Sequence, residues 1–348
     1  MNSMMPMEGY ILDRESLIRL TSGEISQLWA QYLSDSSSSC LLRYFLEKVE
    51  DDHVRDIIHY ALTISQKHLE QLRLLFKEEK LPIPKGFSLD EDVNIHAPRL
   101  YSDIFMLNFI QQMAKVGLSN YGASLGTSAR SDITKYYKSC LEETIKLYEM
   151  SKEIMLEKGI FERDPMIPYD EKEFIKSQKY MIDFFNIKRP LSSMEASNLF
   201  ANCQRNAFGS ATLLGFSQVA NSKKVTNYFL QGIEIANKHV DLFSKKLHEF
   251  YLAIPKVWGG EVSDCTGEVF SEKLMMYFVS SLNALSIGFY GTAISQSQRG
   301  DISILYNRLS MEIQLFAEDG MNIMINNKWM EQPPLAPNRK ELSKEKFE

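Results

Sequence analysis

Apolar side chains recur along this chain at three- and four-residue spacing, and short polar stretches interrupt them at intervals. Ile57, Ala61, Ile64, Leu72 and Leu75 form one such column, with His68 standing where an apolar residue would continue it. That spacing gathers side chains on one face of an α-helix. It predicts a helix over about 54–79, and similar patterns predict helices over about 22–49, 99–128 and 132–158. No stretch offers the period-two alternation and turn spacing expected of a sheet.

The breaks between helices set the topology. Only "EDDH" separates the first two helices and only "ARSD" the last two, so each pair must lie antiparallel. Between the second and third helices runs "LPIPKGFSLDEDVNIHAP", long enough to cross from one end of a bundle to the other. Short, long, short is the ferritin-like order of connections.

The whole pattern then occurs a second time. "LTSGEISQLW" at 20–29 returns as "LSSMEASNLF" at 191–200, an offset of 171 residues. At that offset Lys67–His68 meet Lys238–His239, and Pro84 meets Pro255. Two residues then drop out and the offset becomes 169. "YG" at 121–122 meets 290–291, "RSDI" at 130–133 meets "RGDI" at 299–302, and Glu143 meets Glu312. The second crossover reads "LAIPKVWGGEVSDCTG". A period this long marks a duplicated domain, not a solenoid of short repeats.

The predicted fold is therefore all-α, with two tandem ferritin-like four-helix bundles at 20–165 and 191–335, each carrying the long crossover between its second and third helices. An N-terminal segment (1–19) precedes them, a bridging helix or linker (166–190) joins them, and a disordered tail (336–348) follows. Duplication within one chain predicts pseudo-two-fold packing of the bundles, as in a fused homodimer.

Composition narrows the function classes. The 348 residues are 44% apolar and 24% charged, which suits two soluble domains of ordinary size. A net charge of −6 argues against a nucleic-acid surface. No basic start leads into an early apolar segment, and no apolar run reaches about 18 residues, so membrane insertion is not expected and the cytoplasm is the default compartment. Cys40, Cys140, Cys203 and Cys265 form no C-x-x-C pair and do not align between the repeats. They read as buried free thiols in a reducing compartment.

A ferritin-like bundle invites a test for a di-iron centre, which takes a Glu from each of two helices and a Glu-x-x-His from each of the others. Ser65 and Ala236 stand three before His68 and His239, and neither predicted fourth helix contains a histidine. The first unit's Glu-x-x-His, Glu50–His53, lies at a turn and becomes Asn221 and Lys224 in the second. The signature is absent, and no cofactor is expected. Glu24 and Glu195 complete capping boxes with Thr21 and Ser192. Asp103, Glu272, Asp132 and Asp301 sit in first helical turns, where the helix dipole favours negative charge. Glu149 and Glu318 fall off the apolar stripe and are expected in solvent.

Two pairs remain. His68 and His239 interrupt the apolar column of the second helix, while Glu143 and Glu312 sit among apolar neighbours on the fourth. Each lies roughly 12 residues, or about 18 Å, from the same end of its bundle. The pattern predicts a buried His–Glu contact in each unit, with both members facing the core. Tyr121 and Tyr290, on the third helix, should lean toward the same level and complete a Tyr–His–Glu network. Such a network serves as an interior hydrogen-bond cluster, as part of a mononuclear metal site with His68, Glu143, His239 and Glu312 as candidate ligands, or as a proton-transfer or small-ligand site. No catalytic residue is assigned, because no Ser-His-Asp order, nucleophile elbow or phosphate loop is present. The stretches "GLSNYGASLGTSARS" and "SIGFYGTAISQSQRG" lie within helical patterns and read as close helix–helix contacts.

With its tandem units, RSDI/RGDI turns and paired histidines, the chain resembles the uncharacterised-domain family 3231 of spore-forming Firmicutes over about residues 15–340. The resemblance implies two fused ferritin-like bundles, no established enzyme activity, and a link to the forespore or spore coat. It supplies no catalytic residues. The first expectation is accordingly a non-catalytic tandem bundle with a structural or interaction role and protein partners. The second is a divergent ferritin-like metal-binding protein or oxidoreductase using His68, Glu143, Tyr121 and their counterparts. The third is a carrier of a small apolar ligand, whose site the 17 Met and 20 Phe could line.

Overall fold

The computed structural model describes residues 18–168, 174–181 and 189–344. Eight long helices dominate these residues: α1 (Ser22–Lys48), α2 (Asp52–Glu78), α3 (Asp103–Thr127), α4 (Ser131–Glu157), α5 (Ser193–Val219), α6 (Lys223–His248), α7 (Glu272–Gln296) and α8 (Gly300–Asn326). They form an all-α protein of two tandem four-helix units, each with a long connection between its second and third helices. Among the described residues there is no strand, only two isolated antiparallel bridges.

Each helix end has a local cause. Thr21 and Glu24 form a reciprocal capping box on α1, as Ser192 and Glu195 do on α5. The second and fourth helices stop where Lys80, Gly159, Tyr251 and Lys328 enter the left-handed region, at φ of 54°, 66°, 56° and 58°. Helix α3 starts at Asp103, later than its apolar pattern predicts, because the Ser102 hydroxyl accepts from Phe105 N and fixes the N-cap there. The segment expected to be a disordered tail contains a short helix at Arg339–Lys344. In the expected bridging helix or linker, the described part holds a 3₁₀ turn at Gln178–Tyr180. The remainder of that segment, 169–173 and 182–188, lies outside the described residues, as do 1–17 and 345–348.

The units meet through their crossovers, and the contacts are reciprocal. Asn94 N donates to Val269 O at 2.8 Å, while Ser263 N donates to Leu100 O at 2.9 Å. Ser102 N donates to Glu261 O at 3.0 Å, while Ser271 N donates to Asp92 O at 2.9 Å. The bridges Val93–Phe270 and Tyr101–Val262 obey the same exchange, since residue 93 corresponds to 262 and 101 to 270. An isologous contact has this self-complementary form. Beneath it, Phe109 meets its own counterpart Phe278 at 6.0 Å between ring centroids, and Phe105 stacks on Phe208 at 4.8 Å.

Side-chain size breaks the symmetry at one place. Tyr44 fills its side of the contact and stands edge-on to Phe270, centroids 5.0 Å apart. Its counterpart is Gly215, and there Tyr101 from the other unit enters instead, donating its hydroxyl to Thr212 O at 2.8 Å. A Cβ on residue 215 would come within 2.5 Å of the Tyr101 hydroxyl oxygen, so glycine makes the room.

Candidate functional site

Carboxylates at both ends of each unit hold the helices that carry the site. Glu24 caps α1 and also accepts from Ala129 N and Arg130 N, both at 3.0 Å, tying α1 to the α3–α4 turn. Glu195 does the same with Gln298 N (3.1 Å) and Arg299 N (2.9 Å). At the opposite end Asp103 accepts from Asp51 N at 2.9 Å, and Glu272 from Ser222 N at 2.6 Å, so the first residue of each third helix clasps the turn between the first two. Sequence reasoning assigned these four groups to caps and dipoles alone.

Between the clamps sit the paired histidines, both buried, at 2% and 0% exposure. His68 Nε2 lies 2.9 Å from Glu143 Oε2, and His239 Nε2 lies 3.0 Å from Glu312 Oε2. The pattern predicted both carboxylates in the core, and the structure places them at its rim instead. Their side chains are 20% and 29% exposed, and each is shared with a lysine from the solvent side, Lys67 or Lys238. A charge at the rim retains partial hydration, which a fully enclosed carboxylate would lose.

At the other ring nitrogen the two sites diverge. His239 Nδ1 is 2.9 Å from the Tyr290 hydroxyl, which also accepts from Asn206 Nδ2 at 2.8 Å, so the Tyr–His–Glu network is complete. In the first unit the expected network is broken. Tyr121 stands edge-on to His68 with centroids 5.8 Å apart, and its hydroxyl accepts from Gln31 Nε2 at 3.3 Å instead. Asp35, the counterpart of Asn206, faces His68 Nδ1 at 3.5 Å and itself accepts from Gln31 Nε2 at 3.2 Å.

Differences between the repeats, Asp35 against Asn206 and Cys140 against Leu309, thus reverse the electrostatics. Burial alone would pull the pKa of His68 down, but the acceptors Asp35, Cys140 and Glu143 outweigh it and hold the ring above its ordinary 6.5, as an imidazolium. His239 goes the other way, because burial dominates and Glu312 only partly offsets it. A neutral ring suits that network, with Nε2–H donating to Glu312 and Nδ1 accepting from Tyr290. The hydrogen bond from His68, with help from Lys67, brings the Glu143 carboxyl down to about 2. Burial pushes the phenols of Tyr121 and Tyr290 well up, so both stay protonated.

A cavity of about 910 Å³ opens between the units. Its walls are largely apolar, including Phe109, Met113, Phe208, Phe278, Leu282 and Phe289. It reaches His68, Asp35 and Tyr121 but stops short of His239 and Tyr290. The Gly- and Ser-rich stretch of α3 contributes Gly117, Ser119 and Ser124 to the wall, while Gly117 also admits the close approach of Thr144, whose Cγ2 would lie 2.9 Å from an added Cβ. Helix α7 lines the far side. It is long and apolar enough by composition to cross a membrane, and Tyr277, Phe278, Leu282, Leu285 and Phe289 of its apolar surface face the cavity.

Among the described residues no three His, Cys, Asp or Glu side chains converge as metal ligands would. The four cysteines are free and buried. Asp35 was not anticipated, and the apolar cavity expected of a carrier lies between the units, where no pattern in the sequence put it. The "SDSSSS" run lies on α1, and Asp35, Ser36, Ser37 and Ser38 are all buried there. Alignment of Asp35 with Asn206 was the available signal.

The fold and the site define a class, a duplicated four-helix protein with one imidazole buried in each half. The chain belongs to the family described as "Protein of unknown function (DUF3231)", which matches twice, at residues 14–172 and 179–342. It is similar to the crystal structure of a protein from Bacillus halodurans C-125 described as a "putative spore coat protein", with 17% identity and a TM-score of 0.40, over 44% of this chain and 99% of that one. No curated protein matches it.

Proposed function

We propose that this protein is a non-catalytic carrier that holds a small apolar molecule between two ferritin-like bundles fused about a pseudo-two-fold axis. The observation that carries the reading is the inter-unit cavity, whose volume falls within the range of about 300–1,000 Å³ typical of small-molecule pockets. Its exposed wall is mostly aromatic and aliphatic surface, interspersed with polar side chains that include Gln31, Asp35, His68, Tyr121, Arg205 and Asn206. A purely structural role would need no such space, and close packing would ordinarily fill it. A metal-centred or redox role would need more converging donors than His68 with Asp35 and Glu143 provide.

The test fills the space. Gly209 and Gly288 line the cavity, and a Cβ on either meets nothing within 4 Å. Both are helical with ordinary φ, so the backbone tolerates larger residues. Wild-type protein should bind the neutral dye Nile red saturably, with a blue-shifted emission, and Gly209→Leu/Gly288→Leu should weaken binding by about tenfold or more while preserving helicity by circular dichroism. Absence of saturable binding to the wild-type protein would refute the carrier reading.

A further inference from the structure

The cavity holds one cation that, among the described residues, has no ion-pair partner. Arg205, on α5, lines it, with its guanidinium carbon 3.6 Å from the centroid of Phe289, another lining residue. Its single side-chain hydrogen bond is from Nη1 to Asn202 Oδ1 at 3.2 Å, to a neutral acceptor. Among the described residues no carboxylate forms an ion pair with it. The cavity's own acid cannot serve, because Asp35 is engaged by the His68 imidazolium and Gln31.

Asn202 and Phe289 use only part of a planar fork that offers five N–H donors. A half-buried guanidinium with no carboxylate in direct contact is costly to maintain beside apolar walls. Burial correspondingly lowers the pKa of Arg205 below its ordinary value. The nearby Lys115, on α3 between the lining residues Ala114 and Val116, is likewise depressed, by burial first and then by Arg205's own charge. The corresponding positions in the other unit are Ser34 for Arg205, Asn120 for Phe289 and Ala284 for Lys115, so this cationic corner exists once per chain.

We infer that the carried molecule is a long-chain carboxylate, bound as the free monomer, with its head group on the Arg205 fork and its chain along the aromatic walls of the cavity. The inference rests on the carrier reading and adds the chemical class of the ligand. A carboxylate matches the fork geometrically and can be held by two parallel N–H···O bonds. Phe289, stacked under the guanidinium, fixes the plane of the fork, and Phe109, Phe208 and Phe278 offer the chain a surface without charge.

The experiment displaces Nile red from the intact chain with oleate and, separately, with oleyl alcohol, which has the same chain and no charge. Oleate should bind wild-type protein at least about tenfold more tightly than the alcohol, the gain expected of a charge-assisted pair. Arg205→Gln should remove that preference and leave the alcohol within about twofold of its wild-type affinity. Arg205→Lys, which keeps the charge without the fork, should retain part of the preference and serves as the folded comparison if Arg205→Gln is unstable. Equal affinities for oleate and the alcohol, or an oleate preference that survives Arg205→Gln, would overturn the carboxylate assignment while leaving the carrier reading standing. Failure of Nile red itself to bind would overturn both.

Discussion

The two buried histidines occupy equivalent places in two copies of one fold, yet one is held charged and the other neutral. His68 lies between the carboxylates of Asp35 and Glu143. His239 lies between a carboxylate, Glu312, and a phenol, Tyr290. The glutamates, the lysines that cover them and the burial of the rings are shared. The main difference is the residue on the first helix, an acid in one unit and an amide in the other, joined by Cys140 where the second unit has Leu309. An amide donates to the tyrosine and frees its hydroxyl proton for Nδ1, whereas a carboxylate draws a proton onto the ring. A duplicated scaffold can therefore hold two opposite protonation states without moving a helix.

The largest expected effect comes from making the first site resemble the second. Asp35→Asn removes a buried partner of the imidazolium, and loss of one member of a buried pair costs about 3–5 kcal/mol unless the ring deprotonates. The ring should then titrate below 6.5 and not above it, as followed by the NMR shift of its Cε1 proton. The reciprocal change, Asn206→Asp, should raise the His239 pKa above 6.5. A His68 that stays protonated at pH 8 in Asp35→Asn would break the comparison.

Next in size is the crossover contact, where Tyr44 and Gly215 differ for a steric reason. Gly215→Ala would force its Cβ to within 2.5 Å of the Tyr101 hydroxyl oxygen and 2.7 Å of its ring, and overpacking of this kind costs about 1–3 kcal/mol. The cost should appear as a lower urea midpoint. Because the clash is with Tyr101, combination with Tyr101→Ala should be markedly non-additive. Additive losses would mean that the two residues do not compete for the same space.

The pH dependence of stability separates the sites by sign. The folded pKa of His68 is raised, so its contribution is full below 6.5 and declines as pH climbs above that value. The folded pKa of His239 is lowered, so its contribution is full above 6.5 and declines as pH falls below it. His68→Gln should therefore flatten the alkaline side of a stability–pH curve measured by urea unfolding, and His239→Gln the mildly acidic side. The smallest effect is expected at Gly288, where no neighbour lies within 4 Å of an added Cβ. Gly288→Ala should stabilise the protein by about 0.5–1 kcal/mol through helix propensity, as a slightly higher melting temperature.

Local features of the fold were legible because their causes are local. The column from Ile57 to Leu75, the boxes Thr21–Glu24 and Ser192–Glu195, and the polar turns suffice to draw the helices. The His–Glu levels could be counted because helical rise is constant. Three things could not be read in this way. Asp35 hides in a serine-rich run whose composition suggests solvent. The second role of Glu24, on the backbone of Ala129 and Arg130, joins residues more than a hundred positions apart. The cavity depends on how two whole units are set against each other, which rests on crossover hydrogen bonds such as Asn94–Val269 that no periodicity encodes.

The central claim is that the two units jointly build one apolar chamber, lined from both sides by Phe109, Phe208 and Phe278. Calorimetric titration of the full chain with Nile red tests it most directly through the stoichiometry. The account predicts one dye per chain, with binding weakened about tenfold or more by Gly209→Leu/Gly288→Leu. Two equivalent sites per chain, one inside each bundle, or no saturable site at all, would contradict it.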